Sequence, residues 1–265
     1  MNRRMIFHIL GMLLILEAAL LLLPALVALI YGEQAGWYYL FTAAGAALVG
    51  LALRTACRPS RKTIYARDGL ITVALGWIVL SAFGALPYAL SGCCGYVDAL
   101  FETVSGFTTT GASIFGAPAS LPRGIQLWRA LTQWLGGMGV LVLLLALMPK
   151  LGEGSVNLMK AESPGPQVDK LVPKVQSTAK ILYGIYFALT MLELVFLLLG
   201  RMPLFEALLT AFGTAGTGGF SNRAASIGAY GSPAVEMITA VFMVLFGINF
   251  NVYFFLLIRH FKEAF

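Results

Sequence analysis

Two short segments of the chain combine threonine hydroxyls with glycines in a way that suits the binding of a dehydrated cation. The first Thr/Gly segment, residues 107–113, reads FTTTGAS, and the second Thr/Gly segment, residues 216–221, reads GTGGFS. Threonine hydroxyls and backbone carbonyls can replace the water shell of a monovalent cation, as they do in K⁺-type filters. Glycine gives the backbone the freedom to turn carbonyl groups toward an ion. Neither segment contains a carboxylate, which favours a monovalent cation over a divalent one.

The composition indicates that these segments belong to a protein surrounded by lipid. Hydrophobic residues make up 59% of the 265 residues and charged residues only 11%. A soluble domain carries roughly 25% charged residues, because it must cover its surface with them. The net charge of +6 is spread over membrane flanks, which argues against nucleic-acid binding. With two histidines and no His/Asp/Ser cluster, the chain is not expected to be an enzyme.

Six apolar stretches are long enough to form spanning helices, which need about 20 residues each. They are residues 6–30, 37–53, 70–90, 125–148, 181–199 and 234–258. Two shorter apolar stretches, residues 97–107 and 204–212, cannot cross a bilayer, and each leads into a Thr/Gly segment. Non-helical backbone at membrane depth is tolerated only where it is buried in protein or lines water. The sequence therefore predicts two re-entrant half-helices beside a pore.

Positive charge is distributed unevenly between the two sides of the predicted membrane. If the N-terminus is cytoplasmic, fourteen of the 18 lysines and arginines also lie on the cytoplasmic side. The other four are Arg123, Arg129, Arg201 and Arg223. This positive-inside bias predicts that both ends of the chain are cytoplasmic and that the half-helices enter from outside.

The chain contains the same unit twice: a spanning helix, a half-helix, a Thr/Gly segment and a second spanning helix. The repeats are parallel, because both copies face the same way. The best register places Thr109-Thr110-Gly111 on Thr217-Gly218-Gly219, but Gly218 takes the place of Gly111 if Thr110 is matched to Thr217. The competing interpretation is a pair of ordinary outer loops, although such loops rarely repeat.

The same alignment matches Leu-Phe-Glu at residues 100–102 with Leu-Phe-Glu at residues 204–206. It predicts that the second half-helix is about one turn longer than the first. Glu102 and Glu206 are then expected at matching positions early in the half-helices. There the helix dipole favours a carboxylate, and an acid can also attract cations to the outer mouth.

Several other polar residues lie in apolar stretches and have both a functional and a structural interpretation. Arg129 either anchors its helix at the interface, which is favoured, or pairs with Glu102 behind the pore. An acid inside a spanning segment is expensive and often functional, although pairing within the bundle is the more ordinary role. The acids in or near such segments are Glu17, Glu193 and Glu236. Asn249 and Asn251 are candidates for a polar interruption near the cytoplasmic half of the pore, with hydrogen bonding between helices as the alternative.

Four stretches of sequence resemble the membrane subunit of the Trk/Ktr/HKT superfamily of potassium transporters, in its TrkH type. Residues 101–113 resemble its first filter segment, and residues 128–139 resemble the helix that follows. Residues 161–166, 169–171 and 178–180 resemble its cytoplasmic loop, and residues 217–221 resemble its second filter. The resemblance covers most of residues 98–260. Residues 1–67 resemble the extra helix pair of the TrkH type.

This resemblance implies an all-α membrane protein with a two-helix N-terminal extension. The expected divisions are the helix pair (residues 1–67), a first pore unit (68–150), a cytoplasmic loop (151–177) and a second pore unit (178–265). Gly111 and Gly219 are the implied filter glycines. The residues that offer the adjacent oxygens are Thr109, Thr110, Thr217 and Gly218. The implied function is potassium uptake across the bacterial inner membrane, with no cofactor and with K⁺ as the transported ion.

The family implies four such units around one pore, and the chain holds two. We expect either a fragment of a protein about twice as long, which is favoured, or two copies that pair as a homodimer. A regulator of the TrkA type, a cytoplasmic nucleotide-binding ring, is the implied partner of the loop at residues 150–180. A non-conducting membrane scaffold that binds this regulator is the alternative function. A Na⁺-coupled symporter is disfavoured, because it predicts inverted rather than parallel repeats.

Overall fold

The N-terminal part of the chain forms a tight pair of antiparallel helices, α1 (Arg3–Ile30) and α2 (Ala35–Ala56). The structure is a computed structural model, and it describes residues 2–58, 66–139 and 175–257. The helices approach closely at two glycines, because a Cβ at Gly11 would contact the backbone of Gly50, and a Cβ at Gly50 that of Gly11. Small residues at such crossings allow the backbone contact that drives helix association in lipid.

Within residues 66–139, four helices form the next unit, which contains the first Thr/Gly segment. They are α3 (Ala66–Gly84), α4 (Leu86–Leu90), α5 (Tyr96–Phe107) and α6 (Arg123–Met138), with a 3₁₀ turn at Pro118–Ser120. The turn between α1 and α2 holds the start of α6. The Glu33 carboxylate accepts hydrogen bonds from the backbone nitrogens of Arg123 (2.6 Å) and Gly124 (3.1 Å). A carboxylate at this position satisfies free N–H groups and complements the helix dipole.

The second unit has the same order of long helix, short helix, Thr/Gly segment and long helix. Its helices are α7 (Val175–Leu199), α8 (Leu204–Ala215), α9 (Pro233–Gly247) and α10 (Phe250–Leu257), with a 3₁₀ turn at Ser226–Tyr230. No strand occurs in the three described ranges. The all-helical prediction is therefore confirmed for them.

Four of the six predicted spanning stretches lie in helices that are long and apolar enough to cross a membrane. These helices are Arg3–Ile30, Ala35–Ala56, Arg67–Leu90 and Ala179–Leu199. The prediction of one continuous helix over residues 234–258 is wrong, because α9 and α10 meet at an angle of 81°. The Asn249 side chain accepts a hydrogen bond from the backbone nitrogen of Asn251 (3.0 Å) and so begins the new helix. The predicted helix at residues 125–148 corresponds in part to α6, which ends at Met138 because Gly139 has φ +83°. Residues 140–148 of this prediction lie outside the described residues.

An aromatic cluster joins the two units where α6, α7 and α8 meet. The ring of Trp134 lies 5.3 Å from that of Tyr186 and 5.6 Å from that of Phe212. The Tyr186 hydroxyl donates to the Trp134 carbonyl (2.9 Å), and the Trp134 indole donates to the Thr190 hydroxyl (3.1 Å). Because this cluster fixes α6 against α8, it also sets the distance between the two Thr/Gly segments.

The predicted divisions at residues 67, 150 and 177 remain predictions. Residues 140–174, which include most of the predicted cytoplasmic loop, lie outside the described residues.

Candidate functional site

The two Thr/Gly segments have the same backbone conformation at positions 108 residues apart. Thr109 and Thr217 have φ of 54° and 55°, and Gly111 and Gly219 have φ of 76° and 77°. Three backbone hydrogen bonds at the end of each preceding helix also match at this spacing. In the first unit the nitrogens of Thr108, Thr109 and Thr110 donate to the carbonyls of Val104, Gly106 and Ser105. In the second unit the nitrogens of Gly216, Thr217 and Gly218 donate to the carbonyls of Phe212, Thr214 and Gly213. This agreement selects the register that pairs Gly111 with Gly219 rather than with Gly218.

The short helices α5 and α8 each have 12 residues, so the prediction of an extra turn in the second is wrong. The expected match of Glu102 with Glu206 fails for the same reason. Glu102 is the seventh residue of α5, whereas Glu206 is the third residue of α8, where α5 has Asp98. The Leu-Phe-Glu match gave the wrong alignment, because the turn before each short helix sets the residue at which that helix begins.

The Glu102 carboxylate lies behind the first Thr/Gly segment and is fully buried. Its Oε1 accepts hydrogen bonds from Arg129 Nε (2.7 Å) and the Ser113 hydroxyl (2.9 Å), and its Oε2 accepts one from the Ile114 nitrogen (3.0 Å). The candidate role of Glu102 at the pore mouth is therefore wrong. This carboxylate instead holds the end of the segment against α6.

Arg129 is 2% exposed, so its favoured role as an interfacial anchor is also wrong. Besides Glu102, its guanidinium donates to the Ser113 hydroxyl (3.0 Å) and the Ser221 carbonyl (3.3 Å). It also lies over the ring of Phe220, 4.5 Å from the centroid, at a distance typical of cation–π contacts. One cation on α6 thus contacts both Thr/Gly segments.

Gln133, one turn after Arg129, makes a second connection from α6 to the second Thr/Gly segment. Its Oε1 accepts a hydrogen bond from the Phe220 nitrogen (2.9 Å), which fixes the orientation of the amide. The side chain is fully buried, and a Cβ at Gly218 would overlap the amide group. Sequence reasoning missed Gln133. Its spacing of four residues from Arg129 on one helix face was the available signal.

The two Thr/Gly segments contact each other directly on one side. A Cβ at Gly111 would overlap the carbonyl oxygen of Gly218, whereas a Cβ at Gly219 would meet no atom within 4 Å. On its other side, the second segment borders a cavity of about 340 Å³. The lining includes Thr214, Thr217 and Gly219, with Thr239 and Met243 from α9. The second segment is therefore covered on one side and open on the other.

The predicted oxygen-bearing residues lie near the surface of the described residues. Thr110, Thr217 and Gly219 are exposed, and Thr109, Gly111 and Gly218 are partly exposed. The hydroxyls of Thr108 and Thr110 form a hydrogen bond with each other (2.8 Å). The backbone and hydroxyl oxygens of both segments are thus accessible from outside the helix bundle.

Glu206 lies in the first turn of α8 and pairs with Arg223 (2.7 Å). Partial burial acts to raise the pKa of this carboxyl, but hydrogen bonds from Tyr230 and Arg223 outweigh burial and hold the pKa below its ordinary value. Burial and the nearby Glu206 raise the pKa of the Tyr230 hydroxyl. Glu206 is therefore the acid of the two that retains contact with the surface of the described residues.

The chain is similar over nearly its whole length to named potassium uptake proteins. It is 40% identical over 260 residues to the "Trk system potassium uptake protein TrkH" of Salmonella typhimurium, covering 97% of this chain and 54% of that protein. It is 34% identical over 259 residues to the "Trk system potassium uptake protein TrkG" of Escherichia coli K12, covering 97% of this chain and 53% of that protein. These relatives are transporters rather than enzymes, as the sequence predicted.

A solved structure has the same fold. The crystal structure of the potassium transporter TrkH from Vibrio parahaemolyticus superposes with a TM-score of 0.82 at 35% identity, over 96% of this chain and 52% of that chain. The chain therefore spans about half the length of the relatives it matches. Residues 40–264 match the family described as "TrkH: Cation transport protein". The chain belongs to this family, and its apolar helices make it a multi-pass protein of the inner membrane.

Proposed function

We propose that the chain carries two of the four filter-bearing units of a potassium uptake pore. The observation that carries this proposal is the shared backbone of the two Thr/Gly segments, in which Thr109 and Thr217 both have positive φ. Positive φ is uncommon for threonine and costs on the order of 1–3 kcal/mol, so it persists where the surroundings impose it, often at functional sites. Two such residues, each two positions before a glycine of positive φ, favour a repeated ion-binding backbone. The names of the relatives favour K⁺ as the ion.

In this proposal the oxygens that replace the water of K⁺ come from both segments. The residues are Thr109, Thr110 and Gly111 in the first unit and Thr217, Gly218 and Gly219 in the second. The helices α5 and α8 are the re-entrant half-helices, and they direct their C-terminal ends, with partial negative charge, toward the ion. Asn249 and Asn251, at the break between α9 and α10, are the proposed polar interruption of the inner pore.

Two units give only half a ring of ligands. The cavity beside Gly219, Thr239 and Met243 supports this interpretation, because it leaves one side of the second segment uncovered. Coverage of about half of each relative points the same way. We propose that further units cover this side. They would come from a continuation of the chain or from a second copy in a homodimer.

We also propose a cytoplasmic N-terminus and an outward-facing filter. The fourteen-to-four distribution of lysines and arginines supports this orientation. Single cysteines at residues 116–120 and 224–230, in a background without Cys57, Cys93 and Cys94, should react with an impermeant reagent added outside. Reaction from the cytoplasmic side alone would contradict both the orientation and the re-entrant helices.

A cytoplasmic nucleotide-binding regulator of the TrkA type is the proposed partner. The support is the family resemblance and the length of the polar loop at residues 150–180. Deletion of residues 161–170 should weaken co-purification of such a partner while leaving membrane insertion intact. Unchanged co-purification would contradict docking at this loop.

Rescue of a bacterium that lacks potassium uptake tests the proposed function. The strain is grown at low K⁺ with this chain alone, with the chain extended along its reading frame, or with an empty vector. Growth with the chain or with its extended form, but not with the vector, is the expected result. Membrane insertion of both forms without rescue by either would contradict potassium uptake and favour a non-conducting scaffold.

A further inference from the structure

Two carboxyl groups are buried inside spanning helices without a charged partner among the described residues. Glu17 in α1 is 2% exposed and Glu193 in α7 is fully buried. Within the described ranges, no hydrogen bond of ordinary geometry reaches the carboxyl oxygens of Glu17 or Glu193, although the Thr214 hydroxyl lies close enough to Glu193 to interact with it. Glu102, by contrast, is neutralised by Arg129. An unpaired acid at membrane depth is costly and marks a functional site more often than a structural one.

The turns before α5 and α8 show which residues of the two preceding long helices occupy equivalent positions. Gly92 and Arg201, 109 residues apart, both have positive φ (73° and 63°). The backbone hydrogen bonds of the two turns agree at the same spacing: Ser91 to Pro87 with Gly200 to Phe196, Gly92 to Ala89 with Arg201 to Leu198, and Cys93 to Tyr88 with Met202 to Leu197. Only Ala85 separates α3 from α4, and the nitrogens of Ala85 and Ala89 each donate to the carbonyl oxygen four residues earlier, so the same spacing extends back to residue 84. The position that matches Glu193 is therefore Gly84.

Gly84 has no side chain, but its space is not empty. A Cβ at Gly84 would lie 3.0 Å from Glu17 Oε1, 3.0 Å from the Thr103 methyl group and 3.2 Å from the Trp128 ring. The Trp128 indole also donates to the Gly84 carbonyl (2.9 Å). The carboxyl group of Glu17 therefore reaches from α1 into the place where a side chain of residue 84 would begin.

In the second unit the carboxyl group comes from the unit's own helix. Glu193 of α7 lies next to Thr214, in the last turn of α8. In the first unit, Glu17 of α1 and Thr103 of α5 both border the space beside Gly84, and the second unit has Ala211 where α5 has Thr103, at the spacing of 108 residues. Each 12-residue helix thus has one unpaired carboxyl group against its buried side, although the two acids come from unrelated places in the sequence.

We propose that Glu17 and Glu193 are equivalent positioning residues, each of which places a polar carboxyl group behind one filter-bearing half-helix. On this basis α1 is part of the first pore unit in a functional sense, because it supplies the group that Gly84 cannot. The inference rests on the proposed function for its effect on ion selection, but the structural equivalence does not depend on it.

The test compares Glu17→Ala, Glu17→Gln, Glu193→Ala and Glu193→Gln in the transport-competent form of the protein, reconstituted in vesicles. We expect each alanine variant to make Rb⁺ uptake more sensitive to competing Na⁺ by roughly threefold, a size typical when a supporting contact outside the ligand site is lost. Glutamine should retain most of the discrimination at both positions, because it keeps the size and polarity of the group. Glu236→Ala is the matched control. This acid is exposed, lies in the first turn of α9 and should have no effect.

A relocation variant sharpens the test. Glu17→Ala combined with Gly84→Glu and Thr103→Ala gives the first unit the residues that the second unit has at these positions, and it should recover discrimination lost in Glu17→Ala. Wild-type selectivity in either alanine variant, or glutamine variants as impaired as alanine ones, would overturn the proposal. Failure of the relocation variant to improve on Glu17→Ala would also overturn it. If that variant does not insert, the four single variants decide the question.

The thermal midpoint in detergent separates this inference from the proposed function. It should change in the same direction in both alanine variants and change less in both glutamine variants, whether or not the protein transports Rb⁺, because the proposal places the two acids in equivalent surroundings. Opposite changes at the two positions would overturn the equivalence. If the wild-type protein takes up no Rb⁺, potassium transport fails while these midpoints still test the two positions.

Discussion

The two Thr/Gly segments share one backbone conformation but differ in what holds them. The first is fixed from behind by the buried pair of Glu102 and Arg129, and Gly111 packs against the other segment. The second is held from the neighbouring unit by Gln133, and its own acid, Glu206, pairs near the surface. The same geometry is thus reached once through internal packing and once through contacts across units. The second segment should therefore depend more strongly on its neighbours.

The largest effect is expected from breaking the buried ion pair. Glu102→Ala leaves the Arg129 charge buried without compensation, which costs about 3–5 kcal/mol of stability. Unfolding in detergent, followed by loss of helical circular dichroism, measures the change. Combining it with Arg129→Leu should recover part of the loss, because the uncompensated charge is then gone. A double variant that is less stable than Glu102→Ala would contradict this account of the pair.

The second-largest effect is expected from serine variants of Gly111 and Gly219, which share a positive φ but differ in their surroundings. Gly111→Ser introduces backbone strain of about 1–3 kcal/mol and also an overlap with the Gly218 carbonyl. It should still insert but lose discrimination against Na⁺ or stop conducting, as measured by Rb⁺ uptake with Na⁺ competition. Gly219→Ser introduces the same backbone strain without an overlap with another atom. Its Rb⁺ uptake and its discrimination against Na⁺ should therefore be less impaired than those of Gly111→Ser.

Gly116→Ser is the control for both glycine variants. Its position in the loop between α5 and α6 has no positive φ and has open space around it. Wild-type selectivity in Gly111→Ser would show that the first segment is an ordinary loop. The ion-binding assignment of both segments would then have to be withdrawn.

The third effect tests the dependence of the second segment on the first unit. Gln133→Leu leaves the buried Phe220 N–H without a partner, at a cost of about 1–3 kcal/mol. Selectivity should fall together with stability. Gln126→Leu is matched in residue type and helix, but the Gln126 amide donates to the Leu121 carbonyl (2.7 Å), in the loop between α5 and α6. It should lower stability without changing selectivity, and equal selectivity in both variants would argue against the bridging role of Gln133.

The smallest effect is expected at Glu206. Because its pKa in the folded protein lies below the ordinary value of 4.5, its pairing with Arg223 stabilises the fold above that value. The stabilisation is lost as the pH falls through the lowered pKa. Glu206→Gln should therefore be slightly less stable than wild type at neutral pH and should converge with it in acid, as followed by thermal midpoints from pH 7 downward. A difference that grows in acid would contradict the direction of the shift.

The sequence by itself determined the membrane class, four of the spanning helices and the presence of two Thr/Gly segments, whereas the backbone of the structure decided between the two registers. Each of these depends on a local signal. Hydrophobic length predicts a span, and the spacing of glycines and threonines predicts a repeated turn. For the same reason the short stretches at residues 97–107 and 204–212 were found as helices within a few residues of their ends.

Only the tertiary structure decided which polar residues meet. The sequence left two roles open for Arg129, and its pairing with Glu102 was decided by the packing of α5 against α6. The sequence does not indicate that Arg129 and Gln133 reach the segment of the other unit, since that contact depends on how α6 packs between α5 and α8. The carboxyl group beside Gly84 comes from Glu17, 67 positions earlier in the chain. Such a meeting follows from three-dimensional packing, which brings together residues whose separation along the chain carries no pattern.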